Sequence, residues 1–563
     1  MDGVNFMDTA DSRVAVKLLP SLADIAFLMP IALLFGRMGG LTVLLGDGDT
    51  GWHIRTGEWI LAHHAVPYRD LFSYSKPDSI WYAWEWLADV VFAGLNKAGG
   101  LAAISLFAVL LIAGTITLVF RLARRKSNAV VAIAVTVLAM AGSSIHWLAR
   151  PHLFTLLFAV IFLNGLYHVR EGQSRVAGIP WLVLLPVLTV LWSNLHGGFL
   201  VGVLLIAVFG AGELLRVLLA AGEEGRAAGF ERAGKYFLSA LACLVASLLN
   251  PYTYHLHVHV WQYLRDPYLG ARIMEFLSVD FHHPIAIFFE SMLAGGVLAA
   301  AWCARRGSFT EPLLFLLWAH LALLSARNIP IFMIVVAPMV AAVADAGLRS
   351  LPAAPVAGWL QRVAAWFNRI VRETCQTDAL GRWHLVSLAG VALLVALMYA
   401  PHPPKRFRAE FDPKRYPADA VSALGQYLPA RVFTYDQWGD YLIYRLYPRS
   451  RVFVDGRSDF YGEDFETKLL ELLNVNYGWD QTLARFGVDT VLMPPNSPLT
   501  GTLKESCRWR VVYDDGVALL FRARGQASGG RVSAAAGGGS GRDREVTKTL
   551  TGDRPITEFG SKT

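Results

Sequence analysis

The chain alternates between apolar runs of membrane-crossing length and short polar connections, and this pattern limits the fold more than any other feature. The runs fall near residues 20–45, 99–121, 129–148, 152–168, 179–194, 198–220, 236–250, 285–303, 311–326, 329–346 and 384–401. That makes about eleven, each near the length a helix needs to cross hydrocarbon. The chain is 54% hydrophobic and 17% charged over 563 residues, too apolar for a soluble protein of this size. The expected fold class is a polytopic α-helical membrane protein. The first run is long and has no small-residue cleavage site, so it reads as a permanent span.

Arginine and lysine set the orientation. With the N-terminus in the cytoplasm, the Arg121–Lys126 cluster, Arg170, Arg175, Arg226, Arg232, Lys235, Arg305, Arg306 and the basic stretch 347–383 all fall on the cytoplasmic side. That bias fixes topology. It places the long first loop, 46–98, and everything after 401 on the outer face. The net charge of +7 is scattered in these connections rather than gathered as a nucleic-acid footprint. Within 347–383, Trp359, Val363, Trp366, Phe367 and Ile370 recur at helical spacing among arginines, the pattern of an interfacial amphipathic helix. Cys243, Cys303, Cys375 and Cys507 are far apart, with no CxxC spacing, so neither a disulfide framework nor a zinc site is expected.

Residues 1–401 thus form the expected transmembrane domain, and Pro401-His402-Pro403-Pro404 reads as a linker. Beyond it, strand-like runs (431–435, 451–454, 490–493, 510–513, 517–521) alternate with helix-like ones (441–447, 464–473, 482–486). This predicts a small extramembrane α/β domain over 402–525. Residues 526–563 are rich in Gly, Ser and charge and read as a disordered tail.

Chemistry concentrates where the first run ends, at Gly46-Asp47-Gly48-Asp49-Thr50-Gly51-Trp52-His53. Carboxylates are costly at a membrane boundary and mark a functional site. If the segment is extended, Asp47 and Asp49 face one way. They could hold a divalent cation on phosphate oxygens, or one could take a proton from a hydroxyl. The plainer reading is that Asp49 caps a helix starting at Thr50. Glu85 and Asp89 lie among the loop's aromatics, at helical i and i+4. Further polar groups fall at the same outer face: Arg150 and His152 in Arg-Pro-His, Asn194 and His196 in Asn-Leu-His-Gly-Gly, and Arg327 in Arg-Asn-Ile-Pro. Arginine is suited to gripping phosphate with paired donors; the plainer role is snorkelling to headgroups. His255, His257 and His259 alternate as strand ligands would, but spacing fixes no fourth ligand. In the C-terminal segment, Asp436–Tyr441 and Val454–Asp459 sit at strand ends, where α/β folds bind ligands and where ordinary turns also occur.

The segments Asp49–Glu58, Glu85-Trp86-Leu87, Arg150-Pro151-His152, Asn194–Phe199 and Ala326–Pro330 together resemble the GT-C superfamily of integral-membrane glycosyltransferases. The likeness is to the bacterial branch of lipopolysaccharide-core galacturonosyltransferases, and Trp438-Gly439-Asp440-Tyr441 is similar to the aromatic Asp-Tyr-Gly element of oligosaccharyltransferases. The resemblance implies a GT-C-like fold in the bacterial inner membrane and a polyprenyl-phosphate sugar donor. It further implies direct displacement at the anomeric carbon, with Asp47 or Asp49 as base and Arg150 or Arg327 steadying the departing phosphate. The acceptor would be a glycan, lipid or protein, and metal dependence varies across the superfamily. Two other classes stay open: a transporter or flippase of lipid-linked glycans, and a non-catalytic envelope assembly protein. Transporters usually carry internal repeats with sites at the midplane, whereas no clear repeat is visible here and the polar groups gather at the outer ends of the spans.

Overall fold

The computed structural model describes residues 19–219, 223–351, 358–378 and 383–524. The expected tail at 526–563 and the polar N-terminal residues 1–17 lie outside the described residues. Six helices among those described are long and apolar enough to cross a membrane: Trp86–Lys126, Ala129–His146, His152–Arg170, Gly197–Leu219, Ala286–Arg305 and Ala326–Ser350. Trp181–Leu195, Thr310–Leu324 and Leu385–Met398 are shorter apolar helices. The run expected at 236–250 is not in either group. It is the apolar end of Glu223–Ala246, a helix that carries Arg226, Glu231, Arg232 and Lys235 before that end.

The run expected at 20–45 is broken. Helix Leu22–Leu33 passes into a π-turn, Leu34–Met38, and stops at Gly39 and Gly40, whose φ angles are 103° and 96°. Any side chain at 40 would begin 2.1 Å from the Arg406 carbonyl oxygen, so the backbone there can approach only as glycine. The loop expected at 46–98 contains a helix, Asp49–His63. It ends in the first turns of the 41-residue helix Trp86–Lys126, which bends at Gly99 and Gly100. Among the loop's aromatics, Trp52 meets Trp81 edge-on, Tyr82 and Trp84 pack against each other, Trp84 meets Tyr252 edge-on, and Tyr82 and Trp84 stack on His255 and His259. Trp359, Val363 and Trp366 lie exposed on helix Gly358–Asp378; residues 352–357 and 379–382 beside it are outside the described set.

After 401 the chain forms a four-stranded mixed sheet in the order Val432–Phe433, Thr490–Met493, Leu519–Ala523, Trp509–Asp514. The first pair is parallel and the other two pairs are antiparallel. Phe433, Phe453, Val491 and Phe521 fill one side of it. Residues 451–454, expected as a strand, make only isolated bridges, Val452 to Ser73 and to Val432. Val452 thus lies between the first loop and the first strand of the sheet.

Helix Asp436–Leu446 carries this segment onto the first loop. Glycines make the approach close: a side chain at Gly51 would begin 2.7 Å from the Asp440 carbonyl oxygen, and one at Gly48 would begin 2.6 Å from that of Gln437. Arg55 Nε donates to the Tyr444 carbonyl at 2.8 Å, satisfying an orphan acceptor at that helix's C-terminal end. A buried ionic anchor lies alongside. Arg457 reaches Asp70 at 2.7 Å and Asp455 at 2.6 Å, and Tyr461 donates to Asp455 at 2.9 Å.

Candidate active site

Backbone bonds bring the sequence-distant polar groups together. Ala149 N–H donates to the Leu44 carbonyl at 2.7 Å, and Thr50 Oγ1 donates to the Ala149 carbonyl at 3.0 Å. These two bonds set Arg150 beside the Asp47–Asp49 turn. Its guanidinium then forks, with Nη1 at 2.8 Å from Asp47 Oδ2 and Nη2 at 2.7 Å from Asp49 Oδ2. Each carboxylate thus meets one prong of the rigid donor fork. Asp49 is the first helical residue rather than the cap, which is Gly48; its N–H donates to Asp47 Oδ1 at 3.0 Å.

Arg150 also lies 3.8 Å from Glu275, which stands 3.8 Å from Arg327 and 3.6 Å from His146. Burial alone would raise the Glu275 carboxyl, but Arg150, Arg327 and His146 outweigh it and hold the group at about 2. Burial raises Asp49 well above the usual carboxylate range; Arg150 opposes this and the charges of Asp47 and Glu275 add to it. Burial would weaken the Arg150 charge, yet Asp47 and Asp49 more than restore it.

Glu85 stands between two imidazoles on the adjoining wall. Its Oε2 is 3.6 Å from His53 Nε2 and its Oε1 is 3.3 Å from His196 Nε2. The Gly198 N–H donates to His196 Nδ1 at 2.9 Å. That nitrogen is therefore the acceptor, and the neutral ring holds its proton on Nε2, toward Glu85. Thr155 Oγ1, at 2.7 Å, supports the same tautomer, since it already accepts from Trp192 Nε1 at 2.9 Å. Behind His53, Asp89 Oδ1 lies 2.6 Å from Nδ1. Burial raises Glu85 to about 7 against the pull of Arg150 and Arg327, and burial with the nearby arginines lowers His196 to about 3.

Of the residues singled out in the sequence, Asp47, Asp49, Glu85, Arg150, His196 and Arg327 line this one polar region. His152 and Asn194 face the scaffold. His152 Nε2 meets the His146 carbonyl at 2.9 Å, and Asn194 accepts from Trp86 Nε1 at 2.7 Å while donating to the Leu249 carbonyl at 2.9 Å. His255, His257 and His259 sit on a helix, not a strand. Among the described residues no group of three or more His, Cys, Asp or Glu could hold a metal ion. With Arg150 between Asp47 and Asp49, these donors do not form a cation cradle. Sequence reading passed over Glu275, His53 and His146. His53 was visible only as part of the acidic turn's motif, and Glu275 has no motif around it.

Among solved structures, the archaeal oligosaccharyltransferase AglB from Archaeoglobus fulgidus, in complex with an inhibitory peptide and a dolichol-phosphate, matches over 86% of this chain and 69% of its own, with a TM-score of 0.52 and 14% identity. The apo form of the Archaeoglobus fulgidus oligosaccharyltransferase matches over 86% and 70%, with a TM-score of 0.51 and 12% identity. The chain shares the fold of these oligosaccharyltransferase structures. ArnT from Cupriavidus metallidurans bound to undecaprenyl phosphate is also similar, over 88% of this chain and 97% of its own, with a TM-score of 0.46 and 14% identity. No protein-family model and no curated protein matches the sequence. Within this fold, the acidic turn, the Arg150 loop, the Glu275 turn and helix Asp436–Leu446 come together.

Proposed function

We propose that the chain transfers a sugar from a polyprenyl-phosphate donor to an acceptor at the outer face of a bacterial inner membrane, with the N-terminus cytoplasmic and the segment after 401 periplasmic. The observation that carries the reading is the pairing of Arg150 and Arg327 around Glu275, beside partly open carboxylates, on a GT-C fold. A related fold has been solved with dolichol-phosphate bound, which supports a lipid phosphate as the donor's carrier. In the displacement, an acceptor hydroxyl attacks the anomeric carbon and the bond to the phosphate oxygen breaks with its electron pair. Arg327, which meets Glu275 at 3.8 Å and Tyr263 at 3.3 Å and lies over the Phe276 ring at 4.5 Å, takes the developing phosphate charge with Arg150. The hydroxyl proton passes to Asp47. Of the two aspartates it is the more open, at 17% exposure against 8% for Asp49.

One observation favours a second assignment of the base. Glu85 is 22% exposed, is backed by His53 and Asp89, and sits at about 7, near the optimum for a group that must hold and release a proton at neutral pH. The two assignments separate in one experiment, sugar transfer in membranes containing matched amounts of wild type, Asp47→Asn and Glu85→Gln. Loss of roughly 10²–10⁴-fold in one variant alone names the base. If it is Glu85, the wild-type rate rises with pH to a plateau above about 7, and Glu85→Gln flattens that rise. Full transfer in both variants would overturn both assignments.

A further inference from the structure

The C-terminal segment brings a third aspartate to the acidic turn. Asp440 is fully buried. Its Oδ1 accepts the Gly456 N–H at 2.9 Å, and its Oδ2 is a buried oxygen with no hydrogen-bond partner. A side chain at Gly456 would begin 2.8 Å from that unpartnered oxygen and 2.3 Å from Asp49 Oδ1. The two carboxyl groups therefore flank the same glycine. The other charged or polar groups facing this spot are Asp47 and Arg150 on the far side of Asp49, Glu275 beyond them, Trp52 beside Asp49, Asp455 next to Gly456, Tyr416 near Asp440, and Gln437, whose Oε1 accepts the Gly48 N–H at 3.0 Å. Arg150 reaches Asp49 through Oδ2, which leaves Oδ1 facing Asp440. Two ionised carboxylates cannot share a buried gap without a proton or a cation between them.

We propose that Asp440 shares one proton with Asp49 and acts as a positioning residue, fixing the charge and direction of the acidic turn from the extramembrane segment. The shared proton gives Asp440 Oδ2 its missing partner. It also leaves Asp49 Oδ2 committed to Arg150, so the guanidinium fork stays level between Asp47 and Asp49. Burial pushes both carboxyl groups upward, and for Asp440 the charge of Asp49 adds to the rise. Gly456 and Gly48 are the openings that let the two segments come this close. The consequence for activity rests on the proposed sugar transfer; the proton itself does not.

The test uses purified full-length wild type, Asp440→Asn and Asp49→Asn, read first by infrared spectroscopy at about pH 8, above the Glu85 value. Wild type should show a protonated-carboxyl C=O band that is lost in each variant. The second reading is thermal stability against pH. A folded state that keeps a proton which the unfolded chain releases loses stability as pH rises above the unfolded carboxylate value. Asp440→Asn, whose amide donates to Asp49 in place of the proton, should flatten that slope. Because neither reading measures transfer, failure here leaves the proposed enzyme standing, and absence of transfer leaves the proton pair standing. An unchanged band in both variants, or an unchanged pH slope in Asp440→Asn, would overturn the proposal. So would stabilisation of wild type by added magnesium that Asp440→Asn abolishes, which would give the gap to a cation.

Discussion

Replacing Arg150 with methionine should abolish sugar transfer and cost the fold about 3–5 kcal/mol, the usual penalty for stripping the partner from a buried ion pair. Three carboxylates, Asp47, Asp49 and Glu275, turn toward this one guanidinium. Without it they face each other in a partly buried region, with Arg327 and His146 beside Glu275. Their protonation must then rise in the folded state relative to the unfolded chain. The variant should accordingly recover stability as pH falls toward the ordinary carboxylate range, and lose it again as pH rises. Arg150→Lys keeps the charge but not the fork, so it should fold and yet transfer poorly. Asp47→Asn with Asp49→Asn on the Arg150→Met background should restore most of the stability and none of the activity. Melting temperature in detergent across a pH series, beside transfer assays on the same preparations, checks each arm. An Arg150→Met protein with wild-type melting at neutral pH would show that the charge cluster is not the structural keystone described here.

Arg457→Ala should be the most damaging single change outside that cluster, again by about 3–5 kcal/mol. The side chain is 3% exposed and pairs with two fully enclosed acids, Asp70 of the first loop and Asp455 of the segment after 401. Its guanidinium also lies 4.4 Å from the centre of the Trp81 ring and 5.1 Å from that of Phe72, so truncation loses packing as well as charge. Asp70 meanwhile accepts the N–H groups of Phe72 and Ser73 at 3.2 Å and 2.8 Å and so holds the loop's turn. The first expected sign is cleavage of the segment after 401 by a protease that leaves wild type intact. Transfer should fall with it, because Asp455 and Arg457 flank the glycine against which Asp49 rests. Arg457→Met combined with Asp70→Asn and Asp455→Asn removes all three charges at once, and should recover much of the protease resistance.

The helical frame was legible because apolar length is a local property: a run of suitable length and composition is a span candidate wherever it lies. The acidic turn was legible for a related reason, since charge at a membrane boundary stands out against its neighbours. What the sequence hid is what depends on tertiary approach. The stop at Gly39 and Gly40 reflects the Arg406 carbonyl pressing on a glycine from far along the chain. Residues 451–454 have strand composition but make only isolated bridges, through Val452, to Ser73 and Val432. Glu275 lies in a short turn, Met274–Phe276, with no motif around it, and becomes conspicuous only when Arg150 and Arg327 converge on it. Asp440 looked like turn chemistry beside Gly439; its meaning comes from Gly456 and Asp49, which sequence distance conceals.

The measurement that bears most directly on the central claim is transfer by the purified protein in lipid vesicles, given a panel of radiolabelled polyprenyl-phosphate sugars and an extract of bacterial envelope as acceptor. The expected result is a labelled product formed from at least one donor, with release of the free polyprenyl phosphate, and no product from the Arg150→Met protein. Movement of an intact labelled donor from one leaflet to the other, with its sugar–phosphate bond unbroken and no labelled product, would contradict the account and make the chain a transporter.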